Sequence, residues 1–341
     1  LLAIFAGMTT RVLLYLVEEQ TIAPANLVFG VLPFLAALFL YRSRPERRVT
    51  IALILCFLIP AIYLNVLPLE ERDSILLSYL HLPFFLWVVV GLAFTGGAYR
   101  ESFARLAYLK FNGEFAILYA ILALSGGLLT ALTMALFQFV GLEIEEFYFS
   151  NVVLPGAAFL SLLASWLVTG KLKLSQALAP LIARIFSPLV LVTLLAYLIT
   201  VVLVGKNPFL DRGFLLVFNG ILLCVLAITI FSITELHGEQ KKNLSACINT
   251  ALIALALIID SIAFAAIAFR LSSYGITPNR LAVMGVNLII WINLASVLLA
   301  SVRFLWGKKR VTDIQKAVTE YLPIYGLWAA FVTFAFPILF R

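Results

Sequence analysis

Apolar residues fill long stretches of this chain, and polar residues are confined to short clusters between them. The apolar runs are approximately 1–17, 22–41, 49–67, 75–96, 115–140, 152–169, 185–204, 214–236, 244–269, 281–302 and 321–340. Most are near the length of about 20 residues at which an α-helix crosses a hydrocarbon core of ~30 Å. Backbone N–H and C=O groups find no water in that layer, so each spanning segment must satisfy them internally. The pattern therefore predicts an all-α fold, a polytopic transmembrane helix bundle of about ten or eleven spans. A single transmembrane domain is expected over 1–341, with no stretch left for a soluble domain.

The first run carries the main ambiguity. The chain opens on Leu1 without a methionine, and Leu1 to Val17 has neither the basic start nor the small-residue cleavage site of a signal peptide. It is read as the remainder of a first span, with residues missing upstream. An interfacial helix there would leave ten spans in place of eleven.

Two connections have a different period. In 98–110, Tyr99, Phe103, Leu106 and Leu109 recur at helical spacing while Arg100, Glu101 and Arg105 point elsewhere. In 311–322, Val311, Ile314, Val318 and Leu322 do the same against Asp313, Lys316 and Glu320. Both are expected to be short interfacial helices at the cytoplasmic headgroups beside anionic lipid, or docking sites for a cytoplasmic partner.

Composition closes off the soluble alternatives. Of 341 residues, 63% are hydrophobic and 12% charged, and the mean hydropathy is +1.09, against about 25% charged residues in a soluble domain. The net charge of +7 does not indicate nucleic acid, because a basic patch needs a folded polar face to carry it. Its distribution is topological. Seventeen of the 24 Lys and Arg fall in one alternating set of loops (41–48, 98–110, 171–184, 237–242 and 303–316), six fall in the other set, and Arg11 lies inside the first run. Positive charge resists translocation, so the basic set faces the cytoplasm of an inner membrane and Arg341 ends outside. The opposite loops are acidic, with Glu70, Glu71 and Asp73 in one and Glu143, Glu145 and Glu146 in another. That second group is either a solvated acidic loop or a divalent-cation site.

Candidate chemistry begins with charge inside the bilayer, where an ionisable group costs roughly 3 kcal/mol or more. Asp260 lies about 14 Å inside its run at 1.5 Å per residue. Asn249, Ile253, Ala256 and Asp260 fall on one helical stripe, small and polar, that should face other helices or a watery cavity. Asp260 is either a coupling group of a transporter or a satisfied structural group. Arg11 is its natural ion-pair candidate, unless Arg11 snorkels to headgroups. Asn287 and Trp291 share a face of the next span, Asn293 lies on another face, and Asn219 lies in the span before Asp260. Interhelical hydrogen bonding accounts for such asparagines without a ligand. His81, two residues before Pro83, is either a proton-responsive group or a packing residue, and His237 is expected to be solvated. Ser125, Gly126 and Gly127 permit close helix approach. Cys56, Cys224 and Cys247 lie in apolar runs without CxxC or Cys/His spacing, so they read as packing residues, and no cofactor or metal is expected. No serine-nucleophile motif, HExxH or Walker loop is present, which disfavours an enzyme.

The segment from Ala268 to Arg280, ending Tyr274-Gly275-Ile276-Thr277-Pro278-Asn279-Arg280, resembles a recurring stretch of a bacterial polytopic family known as domain of unknown function 4153. In that family a span ends in Arg and a Tyr-Gly-Leu-Thr-Pro-x-Arg loop opens the next; here Ile276 replaces the leucine. The resemblance implies a bacterial membrane protein and no particular mechanism. Read physically, Gly275 allows a tight turn, Thr277 caps a helix, Pro278 suits its first position and Arg280 sits at headgroup level. The functional expectation is a small-solute or ion transporter. The alternatives are a non-transporting sensor, assembly factor or lipid-handling module, or an enzyme acting on lipid.

Overall fold

In the computed structural model, the described residues are 1–68, 72–139, 144–170 and 244–340, with a few isolated helical residues such as Ile233 between them. Among them every element is helical and no strand occurs. The helices are α1 (Leu2–Glu18), α2 (Leu32–Ser43), α3 (Arg47–Val66), α4 (Asp73–Phe94), α5 (Ser102–Phe139), α6 (Glu145–Tyr148), α7 (Leu154–Thr169), α8 (Leu244–Tyr274), α9 (Pro278–Leu305), α10 (Val311–Glu320) and α11 (Leu322–Leu339). Among the described residues, eight helical segments are long and apolar enough to cross a membrane: 24–43, 47–66, 73–94, 102–131, 145–169, 246–274, 278–305 and 311–339. This is a multi-pass membrane protein. Each segment corresponds to an apolar run. The first run forms α1, at 17 residues slightly shorter than those eight. The runs 185–204 and 214–236 lie largely outside the described residues.

The chain divides into two compact units. In the first, α1 packs against α7, α2 and the 3₁₀ segment 24–30. Its contact face is Ala6, Gly7, Thr10 and Leu14, small enough for close backbone approach. A Cβ added at Gly7 would lie 3.1 Å from the Pro155 carbonyl oxygen, and one added at Gly30 would collide with the Thr10 hydroxyl. The opposite face of α1 leaves Ile4, Phe5, Met8, Val12 and Tyr15 exposed. α3 likewise turns Ile51, Ile54, Leu58 and Ile62 outward. Large apolar side chains outside and small or polar ones inside is the arrangement that lipid as solvent favours, since packing rather than water exclusion drives association there.

The second unit contains α8–α11, residues 72–81 at the start of α4, and residues 101–110. α8 and α9 form an antiparallel hairpin through the turn 275–277. That turn has the chemistry its sequence predicts. Gly275 has φ +79°, Thr277 is the N-cap and accepts from the Arg280 backbone N–H at 3.4 Å, and Pro278 opens α9. The Arg280 guanidinium donates to the Tyr274 and Gly275 carbonyls at 2.8 Å each and stacks 5.6 Å from the Tyr274 ring centre. Thr277→Ala is expected to cost about 1 kcal/mol as a lost N-cap, read as a lower thermal unfolding midpoint, whereas Thr277→Ser should restore the wild-type value.

The start of α4 is stitched to α11 by Ser74 and Ser78, whose hydroxyls donate to the Phe340 and Thr333 carbonyls at 3.0 and 2.7 Å. Between them Leu77, Ala282, Val332 and Phe336 form a buried apolar cluster edged by Trp328.

Two sequence expectations change here. Residues 102–110 do not form a separate interfacial helix but are the first turns of the 38-residue α5. Nothing between 103 and 115 except Gly113 disfavours helix, and one glycine costs only about 1 kcal/mol. The stretch 311–322 does contain a separate helix, α10, but its apolar face does not lie in lipid: Val311, Ile314, Val318 and Leu322 are 3–4% exposed, and α10 packs on α9.

Candidate functional site

α8 is 31 residues long, and Asp260 lies 16 residues from its start and 14 from its end, so at least ~20 Å of helix separates it from either terminus. The predicted stripe is an interior face. Asn249, Ile253, Ala256 and Asp260 are all buried, and the face continues through Ala263 and Ile267. The alanines hold α8 close to neighbouring helices, which encloses the carboxylate: Asp260 is 0% exposed. Neither of its oxygens has a hydrogen-bond partner among the described residues.

Among the described residues, polar groups of α9 and α11 lie in the same region of the interior. Tyr325 of α11 lies within electrostatic reach of Asp260. The Tyr325 hydroxyl accepts from Asn293 Nδ2 of α9 at 3.1 Å, and Asn293 Oδ1 is itself buried without a partner among the described residues. Next to Asp260, Ser261 Oγ accepts from Trp291 Nε1 at 2.8 Å. Three helices thus contribute a carboxylate, an amide and a phenol to one region of an otherwise apolar interior. An ionised carboxylate in such surroundings costs several kcal/mol unless a partner compensates it. A proton or a cation removes that cost, and the oxygen-rich set of carboxylate, amide oxygen and phenol suits either.

The other sequence candidates fall elsewhere. Arg11 is committed within the first unit, where its Nε donates to Asn151 Oδ1 at 2.6 Å and its guanidinium lies 3.6 Å from Glu18 Oε2. These partners come from α1 itself and from the segment before α7, on which α1 packs. Asn287 is buried on α9. His81 is half-buried, with Nδ1 2.9 Å from the Leu77 carbonyl one turn earlier, a bond that holds the ring along its own helix. Asn219, His237, Cys224 and Glu143 lie outside the described residues. Glu145 and Glu146 are exposed, and among the described residues no three His, Cys, Asp or Glu side chains converge on a metal-sized site. Cys56 is half-buried, but Cys247 is exposed and is not a core residue. Ser125 and Gly127 are exposed, and Gly126 has only Leu160 within reach of an added Cβ, at 3.8 Å.

Sequence reasoning missed Tyr325. Its only signal is a tyrosine one turn after Tyr321 at the start of a span, a position that reads as part of an interfacial aromatic belt. It also missed Arg105, counted as a loop cation but 7% exposed, whose Nε donates to the Thr319 carbonyl at 2.9 Å. Compared with models of protein families, with curated proteins and with solved structures, the chain matches none.

Proposed function

We propose that this chain is a transporter for a small solute or an ion, with Asp260 as the group that takes up and releases a proton or a cation. The observation that carries this reading is a fully buried carboxylate in the middle of a spanning helix, without a hydrogen-bond partner among the described residues. Evolution tolerates an intramembrane charge chiefly where it works, and an unpartnered one is poised to bind. Asn293 and Tyr325, bonded to each other, are the polar groups proposed to act with it.

The protein sits in the inner membrane of a bacterium, in keeping with the resemblance carried by residues 268–280. It has eleven spans: the eight helical segments, α1 and the two runs 185–204 and 214–236. The lipid-facing side of α1, with Phe5, Met8 and Val12 exposed, supports counting it. The basic loops face the cytoplasm and Arg341 lies outside, as the uneven division of Lys and Arg between alternate loops favours.

The experiment compares solutes inside and outside deletion cells carrying either the wild-type chain or Asp260→Asn. Asparagine matches the size of aspartate but cannot ionise. The variant should reach the membrane at wild-type level and unfold no earlier, since replacing an unpaired buried charge with a neutral group removes a cost. It should nevertheless reproduce the deletion profile. A wild-type solute profile from Asp260→Asn would take Asp260 out of the mechanism and favour a non-transporting sensor or assembly module.

A further inference from the structure

At the C-terminal end of α9, a cleft of about 290 Å³ opens between that helix and α10. One wall is apolar, formed by Leu299, Ala300 and Ala317. Apart from Ser296 the rest is charged, and the charges are unequally satisfied. Lys309 lies 3.8 Å from Asp313 and Lys316 lies 3.5 Å from Glu320, and Asp313 also accepts from the Arg310 backbone N–H at 2.9 Å. Both acids are thus occupied by near neighbours in the sequence. Arg303, exposed on the cleft wall, has no acidic partner among the described residues.

The depth of this cleft follows from helix length. α9 has 28 residues, which makes it ~42 Å long against a hydrocarbon core of ~30 Å. Its last turns, where Arg303 sits, therefore emerge at the level of the headgroups. Trp306 follows, 69% exposed, with Lys308 5.6 Å from its ring centre; an exposed tryptophan beside basic residues marks a membrane–water interface. An apolar wall running into the bilayer below a cationic rim suits an amphiphile, because a soluble anion has no use for the wall.

We infer that this cleft binds the phosphate of an anionic phospholipid. Arg303 takes the phosphate oxygens through its planar fork of N–H donors, Lys309 and Lys316 flank it, and an acyl chain lies along Leu299. This site does not depend on Asp260.

The test uses the full chain purified in zwitterionic detergent, titrated with phosphatidylglycerol, phosphatidylcholine or inorganic phosphate, with bound lipid counted by native mass spectrometry. Phosphatidylglycerol should be retained in preference to phosphatidylcholine. Each cation removed, in Arg303→Gln and then Arg303→Gln with Lys309→Gln, should weaken retention about fivefold. Arg47→Gln with Arg48→Gln, in another basic connection, should leave retention unchanged. Wild-type retention by Arg303→Gln would overturn the assignment. So would displacement of the lipid by millimolar inorganic phosphate, which would make the cleft a soluble-anion site. Should Arg303→Gln fail to fold, fluorescence quenching by tail-brominated lipid decides the matter in the otherwise wild-type chain. Quenching that is stronger for brominated phosphatidylglycerol than for phosphatidylcholine, with the difference between the two lipids lost in Trp306→Phe, supports the site, and equal quenching of the wild-type chain by the two lipids overturns it.

Discussion

Gly285→Ala is expected to destabilise the protein by about 1–3 kcal/mol, the cost typical of overpacking a filled interior. Gly285 lies on α9 against the flat of the Trp328 indole, and a single added Cβ would overlap the six-membered ring of that side chain. The indole has little room to retreat. Its ring lies 5.6 Å from Phe331 and 6.5 Å from Phe336, and Phe336 is fully buried in the cluster with Ala282 and Val332. The close approach of α9 and α11 at this point therefore requires glycine for space rather than for backbone freedom. Thermal unfolding of the purified protein measures the loss. Trp328→Phe in the same chain should return part of it, a coupling that residues out of contact would not show. An unchanged midpoint for Gly285→Ala would mean that the two side chains do not meet.

Arg105→Ala should be comparably damaging, by roughly 2–4 kcal/mol, because it removes a charge-assisted hydrogen bond to a buried helix terminus and also the packed stem of the arginine. The guanidinium donates to the Thr319 carbonyl in the last turn of α10, where the negative end of the helix dipole also favours a cation. Arg105→Met separates the two contributions, since it keeps most of the stem and loses the hydrogen bond. The local consequence can be read in a cysteine-free background carrying Val318→Cys, a position 4% exposed in the native protein. With Arg105 present a maleimide should react slowly there; with alanine at 105 it should react much faster. Equal rates would show that Arg105 does not hold α10 in place.

How far the fold can be read from the residues depends on how local each cause is. The spanning helices are legible because hydrocarbon thickness sets their length directly. The turn at 275–278 is legible because a glycine with positive φ, a threonine cap and a proline at the first helical position each act within four residues. Asp260 stood out because the cost of a buried charge does not depend on knowing its neighbours. Partners are another matter. Arg11 finds Asn151 across 140 residues of sequence, and no period or spacing connects the two. The amphipathicity of 311–322 announced a covered face but was silent on whether lipid or protein covers it. After residue 110 the expected boundary is missing because Lys110, Asn112 and Glu114 lie on a continuous helix instead of interrupting it. Tyr325 was hidden because a tyrosine near the end of a span has an ordinary interfacial explanation.

The three-residue link between α8 and α9 also has a mechanical meaning. Three residues reach little more than ~10 Å when fully extended, and here they are clamped by Arg280 on the preceding carbonyls and by the 2.6 Å bond from Asn279 to Asp73. The α8–α9 hairpin thus behaves as one lever, fixed at its closed end, in which Asp260 and Asn293 keep their spacing. α11 follows α9 in sequence through the segment 306–310 and α10, and meets α9 directly where Trp328 lies on Gly285. The Asn293–Tyr325 hydrogen bond accordingly ties α11 to that lever.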